Sequence, residues 1–362
     1  MWSWTNWLAA KATESDKELL LLNLDETSVP MTFTHADGNV MLQDPIKNWT
    51  KAPRQRVARG LTRANFTHVG IICNDPAIQP RLPQVLFVSE KLLTATTFAA
   101  IQAQLPDNVY VKRLPKGWNN RHEHAIIIRL LGMILAPICC DRSQPLLMFD
   151  AAMIHLADEV MNELAAANIW FCLIPARLTW LLQPLDTHGF AKYKRHLKRS
   201  YQDTLLDSPQ GNNAERMILL VVDTIRAVLQ GNRWDNAFRR NGLAGNQTHV
   251  STFIKRNLEF EILPPYPAMP PTPDVLRLCW PRNRTIRPHA VYPALPADEA
   301  FAEFAPLAIL PAEHVAEALP LPGFLPALFA PPPEAASSSS AAPRAAHLVE
   351  DEDATSSLES IA

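Results

Sequence analysis

The chain is predicted to be an α/β protein. Short apolar runs of strand length alternate with amphipathic helical segments, and the order strand, helix, strand lets neighbouring strands lie parallel. Aspartates end two of the apolar runs, where open α/β sheets bind their ligands. The first run, "KELLLLNL" (17–24), is too short for a helix and delivers the polar "DETS" at its end. "HVGIICN" (68–74) and "QVLFVS" (84–89) are strands separated by turn-forming prolines. Helices are expected over 90–104 and 119–135, the second stopping before Pro137. "QPLLMFD" (144–150) is the next strand. A helix over 156–168 follows, with Val160, Leu164 and Ala167 at helical spacing and Asn168 as its stop. "IWFCLIP" is a strand, a helix then opens at Asp186, and further helices fit 214–230, 234–240 and 250–258.

The chain has 32 prolines against 11 glycines, and the prolines crowd into the region after Pro264. Residues 263–362 therefore read as a Pro/Ala/Ser-rich acidic tail, expected to be disordered. The formal net charge of −2 conceals an asymmetry: residues 298–362 hold eleven acidic groups and one basic, leaving 33 basic and 25 acidic groups in residues 1–297. A basic body points to an acidic partner such as nucleic acid. The five cysteines form no CxxC pair and lie in apolar surroundings, as reduced core thiols do. No secretory signal opens the chain, the apolar stretch around 130–149 is broken by Asp141 and Arg142, and no membrane partner is expected. "RHEHA" puts His122 and His124 two apart, on different faces of a helix, which argues against a zinc site built on that pair. No phosphate-binding glycine loop is present.

Asp25, Asp150 and Asp186 are the candidate catalytic and metal-binding residues. A single such aspartate is usually a turn former, and Asp186 has an alternative reading as the cap of its helix. Three carboxylates that converge can hold divalent metal ions, which activate water and stabilise a phosphodiester's leaving oxygen without any side-chain nucleophile. At about 100° per residue, Phe190, Tyr193, Leu197 and Tyr201 form an apolar stripe, with Lys192, Lys194, Arg195, Lys198 and Arg199 on the other side. Asp186 projects toward the apolar, sheet-facing side. The basic face reads either as a solvated surface or as a DNA contact.

"LLNLDETSV", "LLMFDAAMIH" and "IPARLTWLLQPLDTHGFAKYKRHLKR" resemble, in order and wording, the acidic blocks of the DDE superfamily endonucleases, the catalytic part of mariner/pogo-type transposases. Thirty-five residues separate Asp150 from Asp186, within that family's range. A weaker match extends to "WDNAFRRNGL". The resemblance implies a ribonuclease H-like fold with a mixed sheet flanked by helices, a two-metal Mg²⁺ or Mn²⁺ site on Asp25, Asp150 and Asp186, and DNA as the partner. It implies a DNA endonuclease and strand-transferase, with Lys192, Lys194, Arg195, Lys198 and Arg199 binding DNA. A second reading keeps the fold as a catalytically inactive nucleic-acid-binding protein. Glu26 and His155 are accessory candidates: adjacent strand residues point to opposite faces, so only one of Asp25 and Glu26 enters the site. His155 either shapes the site or packs in the core. Ala151 and Leu156 depart from the family's usual residues after the second acid.

The expected organisation is a leader (1–18), the endonuclease core (19–205), a helical extension (206–262) and the tail (263–362). The 24 residues before Asp25 are too few for a helix-turn-helix domain. The chain is thus expected to be a fragment of a transposase, a host-retained core, or a protein whose recognition part lies on another polypeptide, with a homodimer or a separate DNA-recognition subunit as partner; the expected location is nuclear in a eukaryotic host, otherwise intracellular and soluble.

Overall fold

The computed structural model describes residues 1–33, 39–41, 54–56, 64–139, 142–175, 177–207, 214–245, 247–259, 266–272 and 276. Its strands are β1 (Glu18–Pro30), β2 (Asn39–Met41), β3 (Arg54–Arg56), β4 (Asn65–Cys73), β5 (Gln84–Ser89), β6 (Val109–Leu114), β7 (Ser143–Asp150) and β8 (Trp170–Ile174). The helices are α1 (Trp2–Glu14), α2 (Ala95–Gln102), α3 (Arg121–Cys139), α4 (Asp158–Ala166), α5 (Thr179–Leu182), α6 (Phe190–Asp207), α7 (Ala214–Thr224), α8 (Asp235–Arg240) and α9 (Thr252–Asn257).

Six strands form one sheet in the order β6-β5-β4-β1-β7-β8, while β2 and β3 pair with each other. The β1–β4 and β4–β5 ladders are antiparallel, and β5–β6, β1–β7 and β7–β8 are parallel. The sheet is thus mixed and flanked by helices, as expected. β7 and β8 read as continuous apolar runs because both faces of a parallel region are covered.

Four of the differences from the sequence reading concern the main sheet and the elements packed on it. β1 does not end at Leu24: its ladder with β4 continues to Pro30↔Asn65, whereas its ladder with β7 stops at Asn23↔Met148. Asp25 therefore lies inside β1, just past the point where the parallel neighbour ends. β6 was not predicted, since Lys112 and Arg113 interrupt its apolar residues. Charge of this kind suits an edge strand, and Lys112 Nζ is anchored 2.6 Å from Glu123 Oε2 on α3. α3 runs through Pro137 to Cys139 rather than stopping before the proline. The fourth is α1, where no element was expected. Trp2, Trp4, Trp7, Leu8 and Ala12 are all buried in the core. They do not form one apolar stripe because α1 is covered on two sides: Trp4 meets Phe171 of β8 edge-on, and Trp2 meets Tyr266 and donates from Nε1 to the Asn241 carbonyl at 2.9 Å.

α3 is long and apolar enough to cross a membrane, but Ile127, Ile128, Leu130, Leu131 and Leu135 are buried within the core. Gly132 allows its close approach to the end of α4, since a Cβ there would stand 2.5 Å from Ala167 Cβ. Cys73, Cys139 and Cys172 are buried and form no disulfide. Cys140, Cys279, nearly all of the predicted tail and most of the basic stretch 51–63 lie outside the described residues.

Candidate active site

β1 and β7 run parallel in one-to-one register up to Asn23↔Met148, and Asp25 and Asp150 lie two residues beyond that pair. With side chains alternating along a strand, both project to the face that Asn23 occupies. Asp186 reaches the same face from the opposite layer. Pro184 leads into a wide helical turn, Leu185–Gly189, in which the Phe190 N–H donates to the Leu185 carbonyl five residues back. Such i→i+5 turns recur at functional sites because they reset which residues face inward.

Asp186 is not a cap. The turn begins at Pro184 without any side-chain cap, and the Asp186 carboxyl instead makes hydrogen bonds with Asp25 and Thr179. The capping alternative is thereby replaced by a carboxylate aimed at β1.

Two buried asparagines fix this geometry, and the sequence reading passed over both. Asn23 donates to the Met148 carbonyl at 2.9 Å and accepts from the Leu185 N–H at 2.8 Å, so one side chain joins β1, the end of β7 and the turn carrying Asp186. Asn241 donates to the Leu182 carbonyl at 2.9 Å and to Thr187 Oγ1 at 3.0 Å, holding the turn from outside. A lone asparagine within "LLLLNL" was the signal available, because a polar side chain in an apolar strand must find partners. Asn23→Leu should cost about 1–3 kcal/mol by stranding the Leu185 N–H. Urea unfolding would read this as a lower midpoint at unchanged slope.

Glu26 points to the other face of β1, as alternation requires. It accepts from Asn119 Nδ2 at 2.6 Å, lies 3.5 Å from His124 Nδ1, and faces His155 Nε2 across 3.2 Å. His155 links the two faces, since its Nδ1 is 2.7 Å from Asp150 Oδ1, an oxygen that also accepts from the Ala152 N–H at 3.0 Å. His155 thus does more than pack, although its ring also meets Phe149 edge-on.

The electrostatics divide along the same line. Burial, then the charges of Asp186, Glu26 and Asp150, push the Asp25 carboxyl well above the usual carboxylate range. Burial and the Asp150 charge also raise Asp186. For Asp150, burial acts upward but is outweighed by the hydrogen bond and charge of His155, leaving it lowered. Burial likewise opposes ionisation of Glu26, yet hydrogen bonds from His124 and His155 hold it well below the usual range. His155 responds in kind: burial disfavours its charge, but Asp150 and Glu26 together bring it to about 10.

Lys192, Lys194, Arg195, Lys198 and Arg199 are all exposed on α6, and Phe190, Tyr193, Leu197 and Tyr201 are buried beneath them. Lys192 also lies over the Trp234 ring, 5.4 Å from its centre. Nearby, His188 is lowered to about 4 by burial, then by the charges of Arg240 and Lys192. A positive surface therefore adjoins three crowded carboxylates.

Residues 130–240 match the family model of the DDE superfamily endonucleases. No curated protein matches the chain. Among solved structures, the Mos1 transposase paired-end complex with left transposon end aligns at 14% identity and the Mos1 mariner paired-end complex with Mn at 16%. In both, the alignment covers 66% of this chain and 62% of the other, with a TM-score of 0.30. The matched stretch runs from α3 to α8 and includes Asp150, Asp186 and the basic helix.

Proposed function

We propose that this protein is a divalent-metal-dependent DNA endonuclease and strand-transferase whose ions are held by Asp25, Asp150 and Asp186. The observation that carries the reading is their meeting on one face of the sheet, from β1, from the end of β7 and from the turn before α6. The donor set fits Mg²⁺ or Mn²⁺: three hard carboxylates repel one another, and a cation between them removes that repulsion. Once bound, such ions lower the pKa of a coordinated water and polarise the phosphodiester.

The chain's own residues do the remainder. His155 holds Asp150 through Nδ1, and Asn23 keeps the Asp186 turn against the strand ends. The exposed cations of α6 seat the phosphate backbone beside the carboxylates, and no side-chain nucleophile is required. A DNA substrate implies a nuclear location in a eukaryotic host. Incubating supercoiled plasmid with Mg²⁺ or Mn²⁺ tests the reading. Wild type should yield nicked or linear product and Asp186→Asn none, while equal activity in the two would refute it. DNA binding and metal binding without product from either would favour the inactive, fold-retaining alternative.

Binding has its own prediction. Lys192, Arg195 and Arg199 recur at i, i+3 and i+7 on the exposed face. Replacing all three by Gln should weaken DNA binding and flatten the log–log salt dependence by about one unit for each phosphate no longer neutralised. Thermal unfolding should barely change, because exposed charges contribute little to stability.

A further inference from the structure

Behind the three aspartates, on the opposite face of β1, lies a second constellation. Glu26, His124 and His155 bring a carboxylate oxygen and two imidazole nitrogens within 4.8 Å of one another. They come from β1, from the first turn of α3 and from the segment after β7. The two histidine side chains are 0% and 1% exposed, and Glu26 is 22% exposed.

Their spacing suits a metal ion. Ligands at about 2.0–2.1 Å from a tetrahedral ion stand roughly 3.3 Å apart. Here His124 Nδ1 is 3.5 Å from Glu26 Oε1 and His155 Nε2 is 3.2 Å from Glu26 Oε2. The other nitrogen of His155 lies 2.7 Å from Asp150 Oδ1, the outer carboxylate that orients a ligating histidine. Asn119 Nδ2 is 2.6 Å from Glu26 Oε1 and 3.0 Å from His124 Nδ1, while its Oδ1 is buried without a hydrogen-bond partner. Turning that amide over would present a carbonyl oxygen as a fourth ligand.

We propose that Glu26, His124 and His155 form a second metal site, for one divalent transition ion of the Zn²⁺ or Co²⁺ type, pinning β1, α3 and the segment after β7 together. Two imidazoles favour such ions over Mg²⁺, which prefers an all-oxygen shell. The burial of both histidines makes the role structural, with Glu26 as the side open to entry. His122 is exposed and takes no part. The site stands whether or not the aspartates cleave DNA.

The test is a titration of the full chain with Co²⁺ alone, read by visible absorption. One equivalent should produce the strong bands of a low-coordinate, nitrogen-ligated ion. The bands should persist in the Asp25→Asn/Asp186→Asn double variant and vanish in His124→Gln and in Glu26→Gln. Circular dichroism of each metal-free variant checks folding. Should His124→Gln fail to fold, the near-isosteric Glu26→Gln carries the test. Weak bands of a six-coordinate oxygen type, bands lost with the aspartates but kept in His124→Gln, or no uptake at all would each overturn the site. Loss of cleavage in the aspartate variants leaves this reading untouched, so the two proposals fail separately.

Discussion

Replacing Asp150 by alanine should abolish metal-dependent DNA cleavage, with a loss well beyond the roughly 10–100-fold that outer-shell partners of a metal command. Asp150 ends β7, beside Asp25 in the extended β1–β7 register, and its Oδ1 is fixed by the Ala152 N–H and His155. Removing it takes away a proposed metal ligand and also frees His155, so Asp150→Asn is the cleaner companion, keeping size while losing charge. Single-turnover cleavage of plasmid at saturating Mg²⁺ reads the effect, and retention of a tenth of wild-type rate in both variants would remove Asp150 from the site. Asp25→Asn adds a stability signature. An acid whose folded pKa is raised loses stability as pH climbs from its unfolded value near 3.9 toward the folded value. At neutral pH the metal-free Asn variant should therefore unfold at a higher temperature than wild type, though it cleaves nothing.

His155→Ala should produce the largest loss of stability among these substitutions. It leaves Glu26 and Asp150 without the cation between them, and breaking a buried ion pair by removing one partner costs about 3–5 kcal/mol. Glu26 and Asp150 are 22% and 32% exposed, which places the expectation at the lower end, about 3 kcal/mol. At about 2–4 °C per kcal/mol for a body of this size, Tm falls by roughly 6–12 °C.

The pH dependence of the metal-free protein follows from the signs. His155 is raised to about 10, so its contribution is complete below the unfolded value near 6.5 and drains away as pH rises through 10. Glu26 and Asp150 are lowered, so theirs is complete above about 4.3 and lost as pH falls toward their folded values. Wild type and His155→Ala should thus differ most between about pH 4.5 and 6.5 and converge at both extremes. A constant difference across that range would mean that His155 acts by packing alone.

Periodicity alone places the strands β4, β5, β7 and β8 and the helices α3, α4, α6, α7, α8 and α9 to within a few residues, because each has an apolar face or run that must be buried. The same reasoning puts the five cations of α6 on one exposed face and sends Asp25 and Glu26 to opposite sides of β1. Asp25 and Asp150 were visible as candidates since a carboxylate ending an apolar strand is conspicuous, and Asp186 because it opens a helix directly behind "QPL". What sequence spacing could not express was which distant residues meet. α1 stayed hidden because its tryptophans are buried by two different neighbours rather than by one stripe. Asp25 proved internal to β1, because strand length is set by whichever neighbour continues to offer hydrogen bonds, here β4 rather than β7. Asp186 turned inward through a five-residue turn that leaves no mark in composition. The pair His122 and His124 was read as lying on different faces of a helix, and His122 is exposed while His124 is buried. His124 instead meets Glu26 and His155, residues 98 and 31 positions away in the chain, a juxtaposition made only by packing α3 and the segment after β7 against the sheet.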